Sequence, residues 1–539
     1  MFTDNWYNRS MTINETVEVE SKFEVDDDIP APSADAFAPL VADGPDEYDL
    51  SAVYYDTDDL SLTRHKVTLR RRTGGDDEGW HLKLPAHAGR IELQAPLGDE
   101  VPDEFIAAVA GLVRRRQLAP VARIDNLRRV HTLRDDDGAA VIEFCDDHVS
   151  TEAFVNGGSA ATWREWEAEI VDPSRPDGHA HLAAVAAACT DAGATTSSSS
   201  SKLARAIGPL PDAGDEGVSP VRDALARDLG KLLDHDPAAR RTTIVGVHQM
   251  RVAVRGLRST ISTYAAELEA DVAGTDLDLP GLLAELKVLA AVLGKLRDIQ
   301  VVDERLEEVA AGYPEDVVSP QTRQRLRTEL DAEARRAGER VTSALLSDRY
   351  IDLVDRLHEL VRVAGGTTAK GGKKTRREAE ELLLSGVDRQ FKKFTKARTR
   401  TERDLAELDL TLAEREELTH VVRKRAKALR RNVNALSGTD ELTVAPLRDA
   451  CQRLHTVLGD VQDSVTARQW LRRIARRAET AHESTFGFGV LFEHERGFSE
   501  HALDGFESDA AAVTAAYREL SESRRAARKR RKKGKKRKK

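Results

Sequence analysis

The chain has 539 residues, too many for one hydrophobic core, and its 40% hydrophobic content supports about two to four domains. Charged residues make up 32% of it. No apolar run reaches the ~18 residues of a membrane span, and no basic-then-apolar signal opens the chain, so a cytoplasmic protein with no membrane contact is expected. Cys145, Cys189 and Cys451 lie far apart without CxxC spacing, which excludes a disulfide framework and a zinc site.

The net charge of −10 hides a segregation. Residues 524–539 hold thirteen Lys or Arg and no acid, and removing them leaves −23 on the rest. A protein that binds nucleic acid through its folded part is usually basic there. Only the tail is left for such contact, and it lacks apolar periodicity, so disorder is expected from 521 to 539. The tail reads equally as a solubilising or nucleic-acid-binding arm and as a tether for polyanions.

Residues 1–14 read as a disordered leader. Thr16-Val17-Glu18-Val19-Glu20-Ser21-Lys22-Phe23 then alternates strictly. Glu18, Glu20 and Lys22 share one strand face, and Val17, Val19 and Phe23 the other. Two readings are open: a solvated face with cross-strand ion pairs, or a metal-and-phosphate site inside a barrel. Further strands are predicted over 51–56, 67–72, 80–84 and 90–94, with Gly74-Gly75-Asp76 as a turn. A helix is predicted over 103–117, before Pro120. Strands over 122–133, 139–147 and 162–170 follow, with Asp137-Gly138 as a hairpin turn.

Ionisable residues recur at period two in these strands: Arg70 and Arg72, His81 and Lys83, Arg90 and Glu92, Glu143 and Asp147, and Glu165, Glu167 and Glu169. Buried charges must be compensated by opposite charges, ions or water. A polyanion gripped by Arg forks and Lys, with a divalent metal on the carboxylates, would supply that compensation. Residues 171–191 read as a helix. The Ser-rich run 195–201 reads as a linker, or, next to Lys202, as a closing segment. Residues 209–218, rich in Pro, Gly and Asp, mark a domain boundary.

Beyond about residue 219 the pattern is helical. Ile244, Val247, Val254, Leu257, Ile261 and Leu268 form an apolar stripe. Beside it His248, Arg251, Arg255 and Arg258 share one helix face. His420, Arg423, Lys427 and Arg430 repeat that spacing, and Leu293-Gly294-Lys295-Leu296-Arg297-Asp298 matches Leu458-Gly459-Asp460-Val461-Gln462-Asp463. The helical half is therefore an internal duplication, joined by the Gly-rich basic run 365–374. One basic face is usually a solvated surface. Two of them, each self-repelling at i, i+3 and i+4, point to an anion.

The first 200 residues resemble the CYTH, or triphosphate tunnel metalloenzyme, family. The resemblance rests on Glu18-x-Glu20-x-Lys22, Tyr54-Tyr55-Asp56-Thr57, Leu69-Arg70-Arg71-Arg72, Arg90-x-Glu92, Arg128, Asp147-x-Val149, Glu165-x-Glu167 and Ser201-Lys202-x-x-Arg205-Ala206. Residues 219–520 resemble the CHAD domain, a conserved-histidine α-helical domain, through His248-Gln249-Met250-Arg251-Val252-Ala253 and the Leu293–Asp298 segment. The resemblance implies an α+β chain: an eight-stranded antiparallel tunnel over 15–208, a linker over 209–218, and an all-α duplicated bundle over 219–520, with repeats at about 219–365 and 379–520.

The same resemblance implies metal-dependent hydrolysis of inorganic triphosphate or related substrates, and inorganic polyphosphate bound by the helical half. Glu18, Glu20, Glu143, Asp147, Glu165 and Glu167 would hold Mg²⁺ or Mn²⁺, with Glu169 as a further candidate. Lys22, Arg70, Arg72, Lys83, Arg90, Arg128 and Lys202 would grip phosphate, and Glu92 would orient those cations. Arg123 competes with Arg128, and Asp146 with Asp147. His248, Arg251, Arg255, Arg258, His420, Arg423, Lys427 and Arg430 would bind polyphosphate, with the second row gripping less rigidly. Association with polyphosphate granules is an extension of this. The alternatives are a non-catalytic polyphosphate scaffold and, with no adenine pocket evident, an adenylate cyclase.

Overall fold

The computed structural model describes residues 13–86, 89–199, 201–210, 219–365, 373–407, 409–434, 436 and 444–536. Most of the leader, the boundary run 211–218 and the Gly-rich run 366–372 lie outside them. The chain divides into two compact units, Met1–Ala213 with Asp236–Arg241, and Gly214–His235 with Thr242–Lys539.

The first unit is one antiparallel sheet. Its strands are β1 Asn14–Glu18, β2 Glu20–Val25, β3 Val41–Asp56, β4 Thr68–Thr73, β5 Gly79–Pro85, β6 Arg90–Ala95, β7 Ala119–Arg134, β8 Ala140–Ala153, β9 Ala160–Ile170 and β10 Thr195–Thr196. Their spatial order is β1-β6-β5-β4-β3-β7-β8-β9-β2-β10. Ten strands replace the expected eight for two reasons. The N-terminal strand is interrupted at Val19, so β1 pairs with β6 and β2 with β9. Thr195 and Thr196 add a short rung to β2. The ladder of strand pairs is not closed, but β1 at one end and β2 beside the other are consecutive in the chain and joined by Val19 alone. Gly89, at φ +84°, brings the turn before β6 against this junction; a Cβ there would lie 1.9 Å from the Glu18 carbonyl oxygen.

Alternation decides which side chains meet inside. Phe23, Phe144, Trp166, Ala168 and Ile170 point to one face and are covered by Leu182, Val185 and Cys189 of the helix Gly178–Asp191. Their strand neighbours, including Lys22, Asp147, Glu165 and Glu167, therefore turn to the opposite face. A sheet with one apolar face usually leaves its polar face in water. Here Asp147, Glu165 and Glu167 are buried as well.

Some elements differ from the sequence reading. β3 begins ten residues earlier than predicted, through an exposed Asp- and Glu-rich half that hides the strand pattern. The helix predicted over 103–117 is two short pieces, Asp103–Ala108 and Ala110–Val113, stopped where Arg114 adopts φ 58°. The helix predicted from 171 starts at Gly178.

The second unit is all helix. Ile244–Thr263 packs on Leu279–Ala311, and Leu412–Asn434 on Ala445–Thr480. Each helix also meets its counterpart from the other repeat, 244–263 against 412–434 and 279–311 against 445–480. The second repeat's first helix starts at Lys373, ahead of the expected 379. The basic tail is a correction: the helix Phe506–Lys536 runs through it. Its upstream half is anchored by buried Ala510, Val513 and Leu520, and Ala, Arg and Lys are good helix formers that propagate from a packed start. No helix among the described residues is long and apolar enough to cross a membrane.

Candidate functional site

Within the sheet, β2, β7, β8 and β9 lie side by side, and their inward residues face one another in register. Lys22 is opposite Glu167, Arg128 opposite Asp147, and Asp147 opposite Glu165. The outcome is a buried cluster. Asp147, Glu165 and Glu167 each bring a carboxylate oxygen within 4.8 Å of the others. Lys202 reaches all three, at 2.9, 2.6 and 2.8 Å. Lys22 bridges Glu167 at 2.5 Å and Glu20 at 3.0 Å. Arg128 forks onto Asp147 at 2.8 and 2.7 Å and reaches Glu167 at 2.5 Å. Burial alone would raise the carboxyls of Asp147 and Glu167, but Arg128 and Lys202 outweigh it, joined by Lys22 at Glu167, and hold both below the usual carboxylate range. Lys202 and Lys22 are raised for the reciprocal reason, burial being outweighed by carboxylates.

A second cluster lines β1, β4, β5 and β6. Lys83 donates to both Glu18 oxygens at 2.6 and 2.8 Å. Glu92 lies 3.5 Å from Arg70 and 2.9 Å from His81. Burial pushes His81 down to about 4, so its imidazole is neutral near pH 7. Burial, then Arg70 and Arg128, push Arg72 down to about 9. The Nε atoms of Arg70 and Arg72 are buried without a hydrogen-bond partner. Buried guanidinium nitrogens without acceptors fit a site built to receive anionic oxygens.

The helical unit holds a cleft of about 1070 Å³ lined by His248, Arg251, Arg255, His420, Arg423, Lys427 and Arg430. The Leu-Gly segments explain how the cations lie there. A Cβ on Gly294 would sit 3.6 Å from the Arg251 guanidinium, and one on Gly459 3.6 Å from that of Arg423. Each guanidinium therefore lies close over a glycine of the facing helix, at van der Waals distance from where a Cβ would stand. Burial first, then Arg255, Arg431, Arg423 and Arg251, push Lys427 down to about 6.

The CYTH domain family matches residues 16–170 and the CHAD domain family residues 223–472. An uncharacterized protein of Mycobacterium tuberculosis is 35% identical over 534 residues, covering 95% of this chain and 98% of its own length. The chain belongs to the CYTH–CHAD proteins. Similar solved structures include a CHAD domain from the plant Ricinus communis, at 20% identity over 56% of this chain and 94% of that one, with TM-score 0.43. Another is a Hippeastrum protein described as a putative adenylyl cyclase with a dominant triphosphatase activity, at 19% identity over 37% of this chain and 100% of that one, with TM-score 0.22.

The structure of this CYTH–CHAD protein brings Glu20, Lys22, Arg128, Asp147, Glu165, Glu167 and Lys202 together, and Glu18, Arg70, Arg72 and Lys83 into the neighbouring charge network. Two expected residues stand apart. Glu143 shares the inward face but lies exposed, four residues along β8 from Asp147. Arg90 gives its guanidinium to the Lys66 carbonyl at 2.8 Å. The open pairs resolve. Asp146 turns outward onto Arg164, and Arg123 pairs with Asp125 away from the carboxylates. In the CHAD cleft, Arg258 is not among the lining residues.

The sequence reading missed several neighbours. Asn126 donates to Asp147 at 2.9 Å; its period-two spacing from Arg128 was the available signal. Trp163 donates its indole N–H to Glu165 at 2.5 Å, two residues along one strand. Arg431 and His455 line the cleft from helix positions outside the duplicated spacing.

Proposed function

We propose that the CYTH domain hydrolyses the terminal phosphoryl group of inorganic triphosphate or a short polyphosphate with Mg²⁺ or Mn²⁺, and that the CHAD cleft binds inorganic polyphosphate. One observation supports this above others: three buried carboxylates and three partly buried cations converge inside one sheet, beside arginines with unfilled donors. The all-oxygen set of Asp147, Glu165 and Glu167 suits Mg²⁺ or Mn²⁺, with Glu20 and Glu18 adjacent. A bound ion would polarise a phosphoryl oxygen and lower the pKa of a water. Lys22, Arg128 and Lys202 are held charged and would take the terminal phosphate oxygens as negative charge shifts onto them. Arg70, Arg72 and Lys83 would hold the rest of the chain. No Ser or Cys nucleophile is required, since phosphoryl transfer needs positioned charge more than covalent chemistry.

The test is phosphate release by the full chain from tripolyphosphate with Mg²⁺ or Mn²⁺, set beside ATP. Substrate binding without release under either metal would replace the enzyme with a scaffold. Cyclic AMP from ATP would replace it with a cyclase. Polyphosphate binding would also place the protein on polyphosphate granules, which fluorescence microscopy of the tagged chain checks.

The CHAD cleft carries its own pH prediction. Lys427 faces Arg255, Arg431, Arg423 and Arg251, and His455 lines the same cleft. Its free-state value of about 6 leaves it neutral at pH 7.5. A bound polyanion raises that value, so binding takes up protons and weakens as pH rises above about 6. Calorimetry at pH 7.5 in buffers of different ionisation enthalpy is expected to show uptake approaching one proton, most of it lost in Lys427→Met.

A further inference from the structure

The duplicated rows are not equivalent in their present partners. In the first repeat Arg251 is paired with Asp298 at 3.0 Å, and the nearby Arg297 lies 3.6 Å from Glu304. In the second, no carboxylate among the described residues comes within ion-pair distance of Arg423, Lys427 or Arg430. Asp463, Asp298 and Asp460 act on Arg423 only through space, and Asp463 is itself raised by burial. The orphaned buried donors follow the same division. Arg423 Nε, Arg430 Nε, His420 Nδ1 and His455 Nε2 have no partner on the second-repeat side, against Arg297 Nη1 and the Tyr264 hydroxyl among the first-repeat residues of the cleft. Arg431 donates to the Arg255 carbonyl at 2.9 Å and so ties the two rows together at their border.

Resting on the polyphosphate reading, we infer that the second repeat supplies the tight seat for phosphate groups, around Arg423, Lys427, Arg430 and His455, and that Asp298 competes with phosphate for Arg251 in the first. The physical reason is differential cost. An anion entering the second row meets donors that have no protein acceptor to give up, so each new hydrogen bond is a net gain. In the first row it must displace a carboxylate already on Arg251, which cancels much of the Coulomb gain. The opposite grading would follow from residue type alone, because the second row has Lys427 where the first has Arg255.

The test measures long-chain polyphosphate binding by the full chain at one fixed salt concentration. Arg423→Ala with Arg430→Ala is expected to weaken binding about thirtyfold or more, and Arg251→Ala about threefold or less. Asp298→Asn is expected to tighten binding about threefold or more, a gain that misfolding cannot produce. Asp463→Asn serves as its second-repeat counterpart and is expected to change binding less. Equal losses in the two rows, or no gain in Asp298→Asn, overturn the asymmetry while leaving the polyphosphate reading intact. A wild-type chain that fails to bind polyphosphate overturns that reading and the inference with it.

Discussion

Replacing Glu167 by glutamine is expected to lower metal-dependent phosphate release from tripolyphosphate by about a thousandfold. Glu167 is the most connected carboxylate of the site, touching Lys22 at 2.5 Å, Lys202 at 2.8 Å and Arg128 at 2.5 Å while belonging to the Asp147–Glu165 group. The amide keeps the shape but removes one negative charge and turns an amide NH₂ toward ammonium groups. Lys22 then keeps Glu20, Lys202 keeps Asp147 and Glu165, and Arg128 keeps Asp147, but the three cations lose the one carboxylate they share and a bound ion would lose a ligand. Turnover and Mn²⁺ affinity should fall together, while circular dichroism stays that of wild type. If Glu167→Gln kept more than about a tenth of the activity at unchanged metal dependence, the ion would have to sit elsewhere.

The second large effect is on stability and falls one residue away from the site. Asp146→Ala should destabilise the CYTH unit by about 3–5 kcal/mol, because it strands a buried charge. Arg164 forks onto Asp146 at 2.8 and 2.7 Å, and Trp166 Nε1 donates to the same carboxylate at 3.1 Å. Arg164 is 6% exposed and Asp146 4%. After the substitution the guanidinium keeps only the Asp27 and Ile29 carbonyls, at 3.4 and 2.5 Å, and the indole N–H keeps no acceptor there. Urea unfolding should show the loss as a lower midpoint. Polyphosphate binding by the CHAD cleft should survive below that midpoint, because none of these residues belongs to its unit. An unchanged midpoint would mean that Arg164 finds water or another acceptor.

The two substitutions show where sequence reasoning reaches and where it stops. Period-two charges on successive strands identified a polar face, and Glu18, Glu20, Lys22, Arg128, Glu165, Glu167 and Lys202 lie in the charged interior as read. All of the His248 and His420 rows but Arg258 line one cleft, because a 3-4-3 spacing keeps its residues near one helix face. Asp146 and Asp147 could not be separated in the same way. Both are acidic neighbours, and alternation says only that they face opposite sides. Which side is the interior depends on the face covered by the helix Gly178–Asp191.

Sequence alone therefore determined the two-part architecture, the duplicated helical half and the classes of residue that gather in each site. It did so because strand and helix periods are local properties. The tertiary structure decided the rest: the break at Val19 that splits one strand between β6 and β9, the exposure of Glu143, the departure of Arg258 from the cleft, and the pairing of Arg251 but not Arg423. Each depends on a distance between segments far apart in the chain. Electrostatic partnership falls off with that distance and with exposure to water, neither of which a local pattern encodes.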